Sequence, residues 1–203
     1  IPGGGYEMTS DREAEPIAIQ FLAAGFNAFV LRYSVKPSVF PVALLEAADA
    51  MTMIREHATE WHVDPNAIAV IGFSAGGHLA ANLATSTSDD VLVAHGYDPD
   101  AVRPNGLMLA YPVITSGPLA HRGSFDSLLG ERRNDSQALE SVSIERHIDA
   151  KTPPVFAWHT VPDETVPYEN TLMLIDACKK AGVSIEAHLF PQGGHGLLLG
   201  TAE

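Results

Sequence analysis

The stretch of sequence that decides the fold is AIAVIGFSAGGHLA, residues 67–80. Its first part, residues 67–72, is a short apolar run of the kind that forms buried parallel strands, and a helix of small residues follows from Gly76. Residues 72–76 match G-x-S-x-G, a strained strand-to-helix turn that presents a serine hydroxyl. The turn leaves no room for side chains beside the serine, so glycines flank it. The motif predicts Ser74 as a nucleophile; the alternative is a structural serine in a glycine-rich turn.

Strand and helix patterns alternate on both sides of this turn. Apolar runs predict strands over residues 26–33, 67–72, 106–111, 155–159 and 184–190. Helical spacing of apolar residues predicts helices over residues 11–24, 42–58, 76–86 and 168–181. Strands that alternate with helices imply an α/β fold, with a mostly parallel sheet covered by helices on both faces.

The length and the ends of the chain bear on its domain organisation. The 203 residues fit one domain. Residues 112–152 are polar and too long for an ordinary connection, which predicts an insertion over the active site. The chain opens with Ile1 and Pro2 before a glycine triplet, without an initiator methionine, and an apolar segment begins at Leu197. We therefore expect residues 1–203 to be one domain, incomplete at both ends, whose unpaired sheet edge would allow a homo-oligomer.

The composition narrows the classes of partner. There are 12 Lys and Arg against 25 Asp and Glu, a formal net charge of −13, so a nucleic acid or an anionic membrane would be repelled. A neutral or cationic small substrate meets no such barrier. No apolar run approaches the roughly 18–20 residues needed to cross a bilayer. The single cysteine, Cys178, can form neither an internal disulfide nor a zinc site by itself, so we expect no metal and no cofactor. It favours a cytoplasmic location without deciding it.

A serine hydroxyl is a poor nucleophile at neutral pH unless a base lies within hydrogen-bond reach. His195 is the predicted base, because it lies in the glycine-rich loop QGGHG directly after the last predicted strand. Catalytic side chains gather at this carboxyl edge in open parallel sheets. The alternative for His195 is a plain turn residue. The eight other histidines fit helix ends, packed positions or strands, or lie in polar insertions with no partner pattern, as His95, His121 and His147 do; the remaining five are His57, His62, His78, His159 and His188.

An acid is needed to fix the tautomer of the base and to stabilise its protonated form. Asp163 follows the predicted strand that ends at His159, and the chain between Asp163 and His195 contains one helix and one strand. Both loops should therefore reach the same sheet edge, in the order serine, acid, histidine that is typical of this architecture. Glu164 is the rival acid; its alternative role is a solvated charge beside the site.

Acyl transfer also needs hydrogen-bond donors for the negative charge that develops on the carbonyl oxygen. One donor is the backbone amide of Ala75, the residue after the nucleophile. The triplet Gly3-Gly4-Gly5 supplies unobstructed amides in an earlier loop. The alternative for the triplet is a flexible start of the chain.

These motifs resemble those of the α/β-hydrolase superfamily over nearly the whole chain. PGGGY at residues 2–6 is similar to the HGGG oxyanion motif of hormone-sensitive-lipase-like esterases, with Pro2 in place of the usual histidine. Together with REAEP at 12–16, VLRY at 30–33 and GFSAGGHLA at 72–80, it resembles bacterial carbohydrate acetyl esterases of the acetylxylan-esterase type.

The resemblance implies an α/β-hydrolase fold that lacks its first strands and its last helix. It implies a serine esterase that removes short acyl groups, acetyl esters of a carbohydrate above all, without metal or cofactor. By the resemblance, Gly4 and Gly5 donate to the oxyanion. The alternatives are a peptidase or an aryl-formamidase on the same scaffold, or a binding protein without activity. A binding protein would be expected to have lost one of the three triad residues.

Overall fold

The computed structural model describes residues 1–198 and contains one parallel β-sheet. The strands lie in the spatial order β1 (Ala69–Phe73), β2 (Gly106–Ala110), β3 (Val155–Thr160), β4 (Ile185–Phe190). Residues 199–203 lie outside the described part, and so does most of the apolar segment predicted from Leu197. The predictions for the four strands from residue 67 onward are confirmed to within two residues at each end.

Helices connect the strands and flank them. Within residues 1–198 the α-helices are α1 (Glu15–Ala23), α2 (Val42–Glu56), α3 (Ser74–Ala84), α4 (Asp89–Ala94), α5 (Pro99–Val102), α6 (Arg122–Leu129), α7 (Ser136–Ser141) and α8 (Glu169–Ala181). Short 3₁₀ turns occupy Asp11–Glu13, Ser86–Ser88, Gly130–Arg132 and Ile144–Arg146. The helix predicted over residues 11–24 is thus divided: its first turn is 3₁₀, and α1 begins at Glu15 with Pro16 in the first turn, where proline is tolerated. No helix among residues 1–198 has the length and apolarity to span a membrane.

The main core lies on one face of the sheet. Alternate strand residues point to this face, and Val70, Leu107, Val155 and Ile185 form one row across the four strands. Leucines of α2, α3 and α8 pack against the row and are almost completely buried: Leu44, Leu79, Leu83 and Leu174. Full burial of each such leucine stabilises the fold by about 1.5–3 kcal/mol. This packing holds α3, and with it the turn at Ser74, against the sheet.

A smaller core lies on the opposite face of the sheet. There Ile17 and Phe21 of α1 pack against Phe73, Ala110 and Trp158, strand residues that alternate with those of the main core. Helices therefore cover both faces of the parallel sheet, as predicted.

The strand predicted over residues 26–33 is wrong. A strand needs a hydrogen-bonded neighbour, and none of the strands in residues 1–198 pairs with this segment. Two of its apolar side chains contact rings instead: between ring centroids, Phe26 lies 6.0 Å from Phe21 and Phe29 lies 5.5 Å from Trp61. Both Phe26 and Phe29 remain exposed. An apolar run predicts that a segment can pair, but it does not provide the partner.

Residues 112–152 contain α6 and α7 and are anchored to the start of α3. The backbone amide of Val113 donates to the carbonyl of Ser74 over 3.1 Å. His78 on α3 connects this segment to the N-terminal loop. Its Nε2 donates to the Val142 carbonyl (2.8 Å), and its Nδ1 accepts from the Tyr6 hydroxyl (2.8 Å). The carbonyl can only accept, so Nε2 carries a proton, and burial of the ring favours the neutral form, in which Nδ1 is the acceptor.

The stability of the fold should fall in mild acid because of His78. Burial lowers the pKa of His78 to about 4, whereas an unfolded histidine has a pKa near 6.5. Between these values the unfolded chain binds a proton that the folded chain does not, so the free energy of unfolding decreases as the pH falls from about 6.5 to 4. We expect a loss of roughly 3 kcal/mol, measured by urea unfolding at pH 7, 5 and 4. An NMR titration should show the His78 ring neutral at pH 5; a ring that is already protonated there would contradict this account.

Candidate active site

Ser74 lies at the junction of β1 and α3, on a strained backbone. Its φ is +52°, in the left-handed region that side chains rarely adopt. A side chain at Gly72 would overlap the Gly76 carbonyl, and one at Gly76 would overlap the Ile1 and Pro2 carbonyls. The glycines of the motif are therefore required where strand, helix and N-terminal segment approach each other closely.

The loop after β4 brings His195 to Ser74. His195 Nε2 lies 2.8 Å from Ser74 Oγ, and His195 Nδ1 lies 2.7 Å from Asp163 Oδ2. The Tyr111 ring packs edge-on against the imidazole, with centroids 4.9 Å apart. Because the carboxylate accepts, Nδ1 carries the proton, and Nε2 is left free to accept one from the serine hydroxyl. The structure thus brings together the three residues for which the sequence predicts catalytic roles.

Asp163 lies directly after β3 and is held there by several donors. Its Oδ1 accepts from the backbone amides of Thr165 and Val166, each over 2.9 Å, and His159 Nε2 lies 3.2 Å from its Oδ2. Burial acts to raise the pKa of Asp163, but hydrogen bonds from His159, His195 and the Val166 amide outweigh it and hold the pKa well below its usual range. The carboxylate is therefore ionised at neutral pH. The side chain of Glu164, the rival acid, is exposed to solvent.

The glycine triplet lies against the nucleophile. A Cβ atom on Gly3 would stand 2.8 Å from the Ser74 Cβ, so the loop passes directly beside the serine. The Gly3 amide already donates to Glu13 over 2.8 Å, which leaves Gly4 and Gly5 as the donors of the triplet. These two have φ of +126° and +66°, which L side chains rarely adopt. The Ala75 amide lies in the first turn of α3 and has no partner within the helix.

Glu13 is a buried residue of this site that the sequence reasoning missed. Its carboxylate accepts from the Gly3 amide through Oε2 and from the Tyr111 hydroxyl through Oε1, both over 2.8 Å. It therefore ties the glycine loop to the end of β2 and to the ring that packs on His195. Residues 12–16 around it contribute to the family resemblance, but the sequence assigns Glu13 no role.

Two buried histidines, which the sequence reasoning assigned to packing or to a strand, hold the segments next to the site in place. His78 anchors the residue after the glycine triplet, Tyr6, as described above. His159 donates through Nε2 to the Val166 carbonyl (2.9 Å), while its Nδ1 lies 2.8 Å from Thr171 Oγ1, and so it fixes the loop that carries Asp163. Both rings are completely buried. Within residues 1–198 the His, Cys, Asp and Glu side chains form no group of three that could hold a metal ion.

Comparison with known proteins identifies a family and several similar proteins. Residues 1–177 match the model of the BD-FAE family. Endo-1,4-beta-xylanase B of Butyrivibrio fibrisolvens is 35% identical over 207 residues, which cover 100% of this chain and 32% of that protein. An acetylxylan esterase of Xylanibacter ruminicola is 29% identical over 206 residues, which cover 99% of this chain and 41% of that protein. The chain thus spans a third to two fifths of the length of these relatives.

A solved structure gives a closer match in length. The acetyl ester-xyloside bifunctional hydrolase of Caldicellulosiruptor lactoaceticus is 41% identical and superimposes with a TM-score of 0.88, covering 98% of this chain and 73% of that one. At 41% identity, the two chains are similar in sequence as well as in fold.

Proposed function

The chain belongs to the BD-FAE family and has the α/β-hydrolase fold, and from that premise we propose that it is a serine esterase that removes acetyl or other short acyl groups from a carbohydrate. The observation that carries the proposal is the hydrogen-bonded series Ser74, His195 and Asp163, beside the amides of Gly4 and Gly5, which have no hydrogen-bond partner within residues 1–198. Nucleophile, base and acid in this geometry are what acyl transfer requires.

In this mechanism the Ser74 hydroxyl attacks the ester carbonyl while His195 Nε2 takes its proton. The carbonyl oxygen becomes negative, and the amides of Gly4, Gly5 and Ala75 stabilise it. His195 then gives its proton to the leaving alcohol, and the acyl group remains on the serine. Water, activated by the same histidine, releases the acid and restores the enzyme. Asp163 stays ionised throughout and stabilises the protonated imidazole.

The proposed substrate class draws on the relatives and on charge. One similar protein is named an acetylxylan esterase and another an acetyl ester-xyloside hydrolase, and a third is named a xylanase. The chain has a formal net charge of −13, which favours a neutral alcohol part over an anionic one. The direct test is incubation with acetylated xylo-oligosaccharides and measurement of released acetate. Hydrolysis of a peptide anilide or an N-formyl arylamide, with no acetate released, would favour the peptidase or the aryl-formamidase alternative.

The length of the acyl group should strongly affect the rate. Short p-nitrophenyl esters, C2 to C4, should be cleaved at least about tenfold faster in kcat/KM than the C12 ester, because the names of two similar proteins point to acetyl esters, the shortest common acyl group. A series of p-nitrophenyl esters of increasing length measures this. An optimum at C10 or longer would show that the site is built for lipids.

A further inference from the structure

His121 lies beside the glycine loop and has no assigned role. It immediately precedes α6, and its Nδ1 is hydrogen-bonded to Oγ of the buried Ser124 over 2.8 Å, which fixes the orientation of the ring. A Cβ atom built on Gly5 would lie 3.9 Å from His121 Cε1. The ring thus borders the proposed oxyanion donor, together with the Ser124 hydroxyl at 4.0 Å.

The second ring nitrogen of His121 is available to a ligand. The hydrogen bonds within residues 1–198 include no protein partner for Nε2, and the ring is only partly buried. Burial lowers the pKa of His121, and the nearby His195 acts in the same direction, so the imidazole is neutral at pH 7. A neutral ring nitrogen can donate to or accept from a hydroxyl group, according to its tautomer.

A cleft of about 530 Å³ begins at Gly123, two residues after His121. A Cβ atom on Gly123 would lie 3.5 Å from His121 Cε1, and Glu7, two residues after Gly5, also lines the cleft. The volume is within the usual range for small-molecule sites. The charged residues of the lining have both signs: Glu7, Lys36, Asp126, Glu131 and Arg133. Such a lining offers donors and acceptors to a neutral ligand with many hydroxyl groups, beside the apolar surface of Pro37 and Val39.

We propose that His121 and this cleft bind the alcohol part of the ester, a hydroxyl-rich ring, with His121 Nε2 hydrogen-bonded to a hydroxyl close to the reacting carbonyl. This inference rests on the proposed esterase function. It makes His121 a specificity-determining residue: it distinguishes alcohols that carry a neighbouring hydroxyl from those that do not. The acyl group, in this arrangement, points away from the cleft.

The test compares two acetates of similar ring size, a methyl xyloside monoacetate and cyclohexyl acetate, which has no hydroxyl. His121→Leu should lower kcat/KM for the xyloside acetate by about tenfold and leave that for cyclohexyl acetate within about twofold. His121→Gln, which keeps a donor and an acceptor, should recover part of the loss.

Glu131→Gln, in the lining of the cleft, should raise KM for the xyloside acetate alone. The matched control is Glu140→Gln, which removes an exposed ion pair with Arg146 outside the cleft and should change neither rate.

A second measurement needs no variant. Methyl xyloside should inhibit hydrolysis of p-nitrophenyl acetate competitively, and cyclohexanol at the same concentration should not. Equal losses on both acetates in His121→Leu, or equal inhibition by both alcohols, would overturn the inference while leaving the esterase function intact. A change in acyl-length preference without a change in alcohol preference would place His121 on the acyl side and would also overturn it. A wild-type chain that hydrolyses none of these esters would refute the proposed function itself.

Discussion

Replacing Ser74 by alanine should lower kcat for p-nitrophenyl acetate by about 10⁶, the largest effect expected of any single substitution in this chain. The reason is that His195 and the glycine amides can act only on a nucleophile that is already in place. Without Oγ no acyl-enzyme forms, and the residual rate comes from water polarised in the site. The measurement is a burst and steady-state assay of wild type and variant at equal concentration.

Folding should be almost unaffected by this substitution, which separates loss of chemistry from loss of structure. Alanine occupies the same left-handed backbone position as Ser74, so we expect the free energy of unfolding to change by less than about 1 kcal/mol. Ser141→Ala, on an exposed part of α7, is the matched control and should keep full activity. A serine-reactive phosphonate should label wild type at Ser74 alone. Labelling of another residue, or substantial esterase activity in Ser74→Ala, would sink the serine mechanism.

The turn at Ser74 could be predicted because its determinants are local. Strand, glycines, serine and helix follow one another within residues 67–80, and each glycine is fixed by sterics that the motif itself implies. The family and the α/β-hydrolase fold predicted from these motifs are confirmed. The strand over residues 26–33 failed for the opposite reason: pairing depends on a neighbour that an apolar pattern cannot identify.

The supporting residues could not be predicted because their partners are distant in sequence. Glu13 meets Tyr111, 98 positions away, and Tyr6 meets His78, 72 positions away. In each case a polar side chain is buried, and the interior requires a hydrogen-bond partner for it, yet no spacing rule links the two positions. For the same reason His121 has no recognisable motif in the sequence, although the fold places it next to Gly5. A buried titratable residue near a predicted nucleophile is a useful signal, but burial itself becomes known only with the structure.

The sequence favours Asp163 over its neighbour Glu164 as the acid of the triad, and a pair of substitutions decides between them. Asp163→Asn should lower kcat by roughly 10⁴, or about 5 kcal/mol of transition-state stabilisation. Glu164→Gln should cost less than about tenfold, because its side chain is exposed and contributes only a screened surface charge. Both variants are assayed for kcat with p-nitrophenyl acetate and for thermal unfolding.

The size of the Asp163 effect follows from the hydrogen bonds around this carboxyl group. Asparagine can still accept the amides of Thr165 and Val166 through its oxygen, so the loop should stay in place. Its NH₂ group then faces His195 Nδ1, where the aspartate offered an acceptor over 2.7 Å. The imidazole must turn to the tautomer with its proton on Nε2, which can no longer take the proton from Ser74. If instead Glu164→Gln shows the large loss and Asp163→Asn the small one, Glu164 is the acid and the hydrogen-bonded geometry at Asp163 is structural.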